Sequence, residues 1–258
     1  MREPILYEHQ PNGIGVITFN RPHSMNVLNS AAMRDFAELM NGLKWREDLR
    51  VLILTGAGDK AFCSGGDLVE LRDKPSASEG LEMVTLMGDA LLMLEQLPIP
   101  VIAAINGYAL GGGSEIALAC DMCVVDESAR MGFVQIGMAL TPGWGAGQRL
   151  ARLVGVPKAM ELLLSGQPLG VEHLLMLALA NRKVETGQAL PHALTWANEI
   201  AARPINVVRG IKSLLNATRT QTYEKALQER ALFPALWEAR EHIEAVEAFF
   251  ARQTQKRG

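Results

Sequence analysis

Two hydrophobic periods alternate along this 258-residue chain, one of strands and one of helices. Ile5–His9 and Gly15–Phe19 read as short strands joined through Pro11-Asn12-Gly13, a hairpin signal. Asn29 or Ser30 then caps a helix whose apolar positions Met33, Phe36, Met40 and Leu43 share one face. Val51–Thr55 is an unbroken apolar run suited to a strand buried on both sides, ended by Gly56-Ala57-Gly58. A loop leads to Gly66-Asp67. The next helix carries Val84, Met87, Leu91 and Leu94 on one face until Pro98-Ile99-Pro100 breaks it. Val101–Ile105 and Met122–Val125 are further buried strands, separated by a Gly-rich turn and a short helix from about Gly112 to Ala119.

Strands alternating with helices predict parallel pairing with helices over the faces, an α/β class. From Gly147 onward the pattern is almost wholly helical. Arg182–Val184 is the one weak strand, and Tyr223–Arg240 and His242–Arg252 are amphipathic helices. The expected organisation is an α/β core over residues 1–200 and a helical region over 201–258, with no linker or internal repeat.

Charge excludes some partners. Lys and Arg number 25 against 28 Asp and Glu, so a net charge of −3 leaves no footprint for nucleic acid or an anionic membrane. The longest apolar stretch, Ile99–Leu118, is interrupted by Pro100, Asn106, several glycines and Glu115 and cannot span a bilayer. Residues 1–13 lack the apolar core of a signal peptide. Three cysteines, Cys63, Cys120 and Cys123, make no disulfide framework, which points to a reducing, cytoplasmic setting.

Several chemical signals lack support. Cys120-x-x-Cys123 has no second pair, and His9, His23, His173, His192 and His242 lack ligand spacing, so no metal is expected and both thiols read as small core groups. Gly56-x-Gly58-x-x-Ala61 follows a strand as a dinucleotide fingerprint would, but Phe62–Gly66 does not open an amphipathic helix. Ser64 and Ser114 complete no G-x-S-x-G elbow, and no Gly-Lys pair exists for a P-loop. His23, beside Arg21, suits either a ligand phosphate or a solvated loop.

Two turns remain, Ala61-Phe-Cys-Ser-Gly-Gly-Asp67 and Asn106-Gly-Tyr-Ala-Leu-Gly-Gly-Gly-Ser-Glu115, each after a predicted parallel strand. Ligands of open α/β sheets bind just past such strand ends. Glycine there lets a ligand approach the backbone and leaves N–H groups to meet it. Two N–H groups converging on one oxygen form an oxyanion hole, and Glu115 in the first turn of the helix would reach its occupant. On spacing alone the same glycines serve tight packing equally well.

The motifs together resemble the crotonase superfamily, the enoyl-CoA hydratase/isomerase family. They are Ala61-Phe62-x-x-Gly65-x-Asp67, Ala104-x-Asn106-Gly107-x-Ala109-x-Gly111-Gly112-Gly113-x-Glu115 and Pro142-Gly143-x-Gly145. Asn20-Arg21-Pro22 with Asn26, and Ala248-Phe249, fit too, so the resemblance spans nearly the whole chain. It implies a spiral of ββα units with a helical C-terminal region, assembled as a homotrimer or a pair of trimers. It also implies an acyl-CoA thioester substrate of the kind met in fatty acid metabolism, with coenzyme A part of the substrate and no separate cofactor. By motif position, the amides of Gly66 and Gly112 would hold the thioester oxygen, with Glu115 as acid or base. Gly66, Asp67, Leu68 and Val69 would line the thioester; Ala61, Ser64 and Gly65 would lie near the adenine end. Gly143 belongs to the P-G-x-G segment beside the site, and Phe249 and Arg252 match tail positions that reach a neighbour's CoA.

One departure bears directly on the reaction. Hydratases of this family, which are lyases, carry two glutamates; the first matches Glu115, and Gln135 stands in place of the second. An amide neither donates nor accepts a proton as an acid or base at neutral pH. Double-bond isomerases commonly keep the second carboxylate and dispense with the first, the reverse of this chain. Members that decarboxylate malonyl-type esters need no such acid, since loss of CO2 itself forms the enolate. Phe133-Val134-x-x-x-Met138-x-x-x-Pro142-x-Trp144-Gly145 resembles that alkylmalonyl-CoA decarboxylase branch. A non-catalytic CoA-ester-binding scaffold is the reading outside enzymology. Leu179 stands where the family usually has a Gly before the Arg182–Val184 strand.

Overall fold

A computed structural model describes residues 3–219 and 230–255. A six-stranded sheet runs in the order β1 (Ile5–His9), β2 (Ile14–Phe19), β3 (Val51–Gly56), β5 (Val101–Ile105), β7 (Met122–Asp126), β10 (Arg182–Val184). Only β1 and β2 pair antiparallel; every other pair in this sheet is parallel. Alternation of side chains sorts its residues into two cores. Ile17, Phe19, Leu52, Leu54, Val101, Ala103 and Ile105 point into the larger one, with helices α1 (Ser30–Leu43) and α3 (Ala77–Gln96). Val16, Val51, Ile53, Ile102, Ala104 and Val124 point to the other, against Ala189, Ala193 and Ala197 of α8 (Ala189–Ala201). Burial on both faces explains why these strands read as unbroken apolar runs.

A second sheet escapes sequence reading. β4 (Ala61–Cys63), β6 (Tyr108–Leu110), β8 (Arg130–Gly132) and β9 (Leu169–Gly170) are two or three residues long and pair in that order. β4 and β6 occupy segments that read as loop and Gly-rich turn, and β9 corrects the reading of Arg182–Val184 as the one strand after Gly147: strands of two or three residues carry almost no period of their own. β3–β4, β5–β6 and β7–β8 thus each send one strand to each sheet and are followed by helix: α2 (Leu68–Leu71) and α3, α4 (Gly112–Ala119), and α5 (Ala146–Val154). This is the expected spiral of ββα units. Phe62 on β4 meets Phe19 edge-on at 5.3 Å, and Phe36 lies 5.9 Å from Phe19, which anchors the small sheet to the large one.

Local chemistry places the boundaries. The Asn29 side chain accepts from Ala32 N–H and caps α1, and Ser76 with Glu79 forms a reciprocal capping box at α3. α6 (Val156–Ser165) and α7 (Val171–Met176) follow α5. The turn before β10 needs no glycine at 179. Ala178 takes the left-handed conformation, with φ of 55°, and Leu179 is buried. After α8 come α9 (Ile205–Asn216), the helical residues 230–237 (α10) and α11 (Arg240–Gln255). Of the helix expected over Tyr223–Arg240, residues 223–229 lie outside the described residues. Cys120 and Cys123 are buried and free, and burial pushes the Cys123 thiol up to about 12, as suits core groups. Among the described residues no helix is long and apolar enough to cross a membrane.

Candidate active site

The ends of β4 and β6 bring the two Gly-containing turns together. Gly65 has φ of +85°, and a Cβ on it would stand 2.9 Å from the Gly112 nitrogen, so the two backbones abut. Only glycine fits there. The Asp67 carboxylate caps α2 through Val69 N–H and receives Arg21 Nη1 at 2.8 Å. Arg21 also donates to the Val27 carbonyl, and Leu28 brackets the turn by donating to Gly65 O and accepting from Asp67 N–H. Asn106 and Asn26 fasten the strand ends behind it: Asn106 Nδ2 donates to Gly56 O and Gly58 O, and Asn26 Nδ2 to Ala57 O and Ala61 O.

With the turns so fixed, the Gly66 and Gly112 amides have no acceptor among the described residues. Gly112 opens α4, whose first N–H groups have no partner within the helix. Both glycines line one cavity of about 630 Å³. Two unpaired N–H groups side by side at a cavity wall can receive one oxygen.

Glu115 lies one turn into α4 and is buried. Its carboxylate reaches the start of α5, where it accepts from Trp144 N–H at 2.8 Å and Ala146 N–H at 3.0 Å, with Gly143 N–H at 3.4 Å. Gly145, the N-cap of α5, offers no capping side chain, so Glu115 supplies the anion that this helix start attracts. Gln135, in a 3-10 turn over Val134–Met138, donates from Nε2 to Glu115 Oε1 at 2.9 Å. Both carboxylate oxygens already face backbone donors, so only the NH2 end of the amide can turn toward Glu115. Gln135 Oε1 is left without a partner among the described groups.

Ser64, Gly65, Asp67, Leu68, Val69, Gly143 and Phe249 also line the cavity. Ala61 does not: it is buried in β4, with its carbonyl on Asn26. Arg252 does not either; its guanidinium donates to Ala248 O on its own helix. Phe249 lies at the cavity of its own chain. His23 borders this cavity and an adjoining hollow of about 530 Å³ with Gly58, Asp59 and Lys60.

Sequence reasoning missed the aromatic wall. Trp144 sits where any Cβ on Gly112 would strike its ring, and Phe233 and Trp237 from α10 close the far side. Phe233 stacks on Trp237 at 5.4 Å, Trp237 meets the His242 ring at 4.8 Å with the planes tilted by 33°, and His242 Nδ1 pairs with Met138 O at 2.8 Å. The C-terminal helices are thereby joined to the turn that carries Gln135. Trp144 was visible as the variable position of P-G-x-G, but nothing local shows that it folds onto Gly112.

This chain matches the model of the enoyl-CoA hydratase/isomerase family over residues 9–256. It is 33% identical to the short-chain-enoyl-CoA hydratase of Clostridium acetobutylicum over 241 residues, covering 93% of this chain and 92% of that protein. It is also 33% identical to the ethylmalonyl-CoA decarboxylase of Gallus gallus over 240 residues, 91% of this chain and 80% of that one. Among solved structures, the crystal structure of enoyl-CoA hydratase from Bacillus anthracis superposes with a TM-score of 0.80 at 32% identity, covering 97% of each chain. A match of this extent, over the ββα spiral and both glycine turns, makes the chain a member of the enoyl-CoA hydratase/isomerase family.

Proposed function

We propose that the cavity binds an acyl-CoA thioester with its carbonyl oxygen on the Gly66 and Gly112 amides, and that Glu115 moves the proton in chemistry passing through an enolate. The observation that carries this reading is the pair of unpartnered amides at the cavity wall. Preorganised N–H donors gain most as negative charge develops on the oxygen they hold. The pantetheine and nucleotide would run out past Ser64 toward the hollow beside His23 and Lys60.

Hydration of a 2-enoyl thioester fits the polarity of the site. Water bonds to C3 as Glu115 takes one of its protons, the electron pair of the double bond passes to the thioester oxygen, and C2 takes that proton back from Glu115 as the carbonyl re-forms. Gln135 Oε1, an acceptor without a donor among the described residues, suits a water or hydroxyl hydrogen. Glu115 is the acid–base group in reach.

Decarboxylation of an alkylmalonyl thioester is the second reading, favoured by the amide at 135 and by the decarboxylase relatives. It places a substrate carboxylate near the Gln135 carbonyl and Glu115, an arrangement of like charge. Mass spectrometry of crotonyl-CoA and ethylmalonyl-CoA after incubation with the protein tests both. Conversion of crotonyl-CoA to the 3-hydroxy ester supports hydration, release of butyryl-CoA supports decarboxylation, and conversion of neither removes the enzymatic reading. Exposed apolar residues on α9 (Val207, Ile211, Leu214, Leu215) support assembly as a trimer or pair of trimers, which sedimentation measures.

A further inference from the structure

Arg149 heads the fully buried side chains by size among the described residues, at 2% exposed, yet it lines no part of the cavity. It lies in the first turns of α5. Nη2 donates to Glu95 Oε2 near the end of α3 at 2.7 Å, and Nη1 donates to the Trp144 carbonyl at 2.6 Å. That carbonyl precedes the helix, so no helical N–H is placed to satisfy it. Trp144 N–H meanwhile donates to Glu115 Oε2 at 2.8 Å. Residue 144 is therefore gripped from both sides, by a cation on its carbonyl and an anion on its amide.

We propose that Arg149, anchored by Glu95, is a positioning residue for the active site: it fixes Trp144 so that the backbone N–H holds the Glu115 carboxylate and the ring stays against Gly112. The inference rests on the reading of Glu115 as the acid–base group. Packing alone does not account for Arg149, because taking a guanidinium and a carboxylate out of water is costly, and apolar side chains commonly fill such space as stably. The guanidinium contributes what a point cation cannot. Its planar fork addresses Glu95 and the Trp144 carbonyl in two fixed directions at once. Arg152 at 3.6 Å and Arg219 at 3.9 Å also approach Glu95, so that carboxylate keeps cationic neighbours when Arg149 is altered.

The test compares wild type with Arg149→Lys, on whichever of crotonyl-CoA and ethylmalonyl-CoA the wild type converts. Lysine keeps a cation for Glu95 but cannot hold both partners in the fork geometry. A folded Arg149→Lys variant is expected to lose kcat by about 10- to 100-fold with KM within about twofold, since a small misplacement of a catalytic group has a cost of that order. The acid limb of its kcat–pH profile should move up, because a carboxylate with a looser N–H donor takes a proton more readily. Unchanged kcat, or a fall in kcat with the acid limb in place, overturns the proposal. If Arg149→Lys does not fold, Glu95→Gln with Arg149→Met, which removes the buried cation and its anion together, is read in the same way. Failure of both to fold would make Arg149 a folding residue only and overturn it too. A wild type that converts neither ester removes the underlying reading, and this inference with it.

Discussion

At the scale of single residues the proposed chemistry turns on two backbone amides and one side-chain amide. A substitution at Gly112 cannot test its N–H cleanly, since any side chain there meets the Trp144 ring. An amide-to-ester exchange at residue 112 removes the donor and adds no bulk. It should lower turnover by about 10²–10³, the usual cost of one oxyanion-hole donor, with circular dichroism unchanged. Equal turnover in the folded ester would take Gly112 out of the hole. Gln135→Glu places a carboxylate against Glu115, so one of the two must hold a proton at neutral pH. That is the two-acid arrangement of a hydratase, and crotonyl-CoA hydration should appear or rise by about 10²–10⁴. Decarboxylation should fall instead, through repulsion of the substrate's own carboxylate. A flat response in both assays would place residue 135 away from the reacting carbon. The glutamine at 135 was legible in the sequence; the direction of its amide was not. That direction follows from Trp144 and Ala146 donating to Glu115, a contact 29 to 31 residues away along the chain.

Among elements, the long, strongly periodic ones were legible, and of the short paired strands only β10 was. β2, β3, β5 and β7 appear as apolar runs because both faces are buried, whereas β4, β6, β8 and β9 exist only through pairing with one another. α2 shows how neighbouring elements are tied beside the Gly66 turn. Glu70 accepts from Ser30 N–H at the start of α1 and from Lys74 Nζ at 2.8 Å, and Lys74 also donates to Ser30 Oγ. Burial pushes the Glu70 carboxyl up, but the hydrogen bonds of Lys74 and Ser30 outweigh it and hold it at about 2. A folded-state value below the unfolded one stabilises the protein above about pH 4.5, and this contribution disappears as pH falls through about 2. Urea unfolding across that window should show a shallower acid slope for Glu70→Gln than for wild type. Identical slopes would mean that this tie is absent in solution.

In the whole molecule, helices α10 and α11 complete the cavity that residues between His23 and Trp144 line. Phe233, Trp237, Phe249 and Phe250 come from α10 and α11, and the ring contact of Trp237 with His242 joins the two helices. Burial keeps the His242 imidazole below its usual value, against the opposing hydrogen bond to the Met138 carbonyl. The folded state therefore binds fewer protons there than the unfolded chain. Closure of α11 is at full strength above about pH 6.5 and weakens as pH falls below it. Hydrogen exchange over residues 240–255, corrected for intrinsic rates, should show protection declining between pH 7.5 and 5.5 (an interval chosen to bracket about 6.5). In His242→Phe, which keeps the ring contact, the decline should vanish; its persistence would assign the pH response to another group.

Legible in the chain alone were the α/β class, the strands buried on both faces, a helix cap at Asn29 or Ser30, and the membership carried by two glycine turns with Glu115. Each of these is written in local residue order: a period, a capping side chain, or a run of glycines whose spacing along the chain is itself the signal. Tertiary structure alone decided what those turns face. The abutment of Gly65 and Gly112, the capping of α5 by Glu115, the outward carbonyl of Gln135, the Trp144 ring on Gly112 and the buried grip of Arg149 all join segments distant in sequence. Such contacts depend on where a side chain's partner arrives in space, and no local period records that.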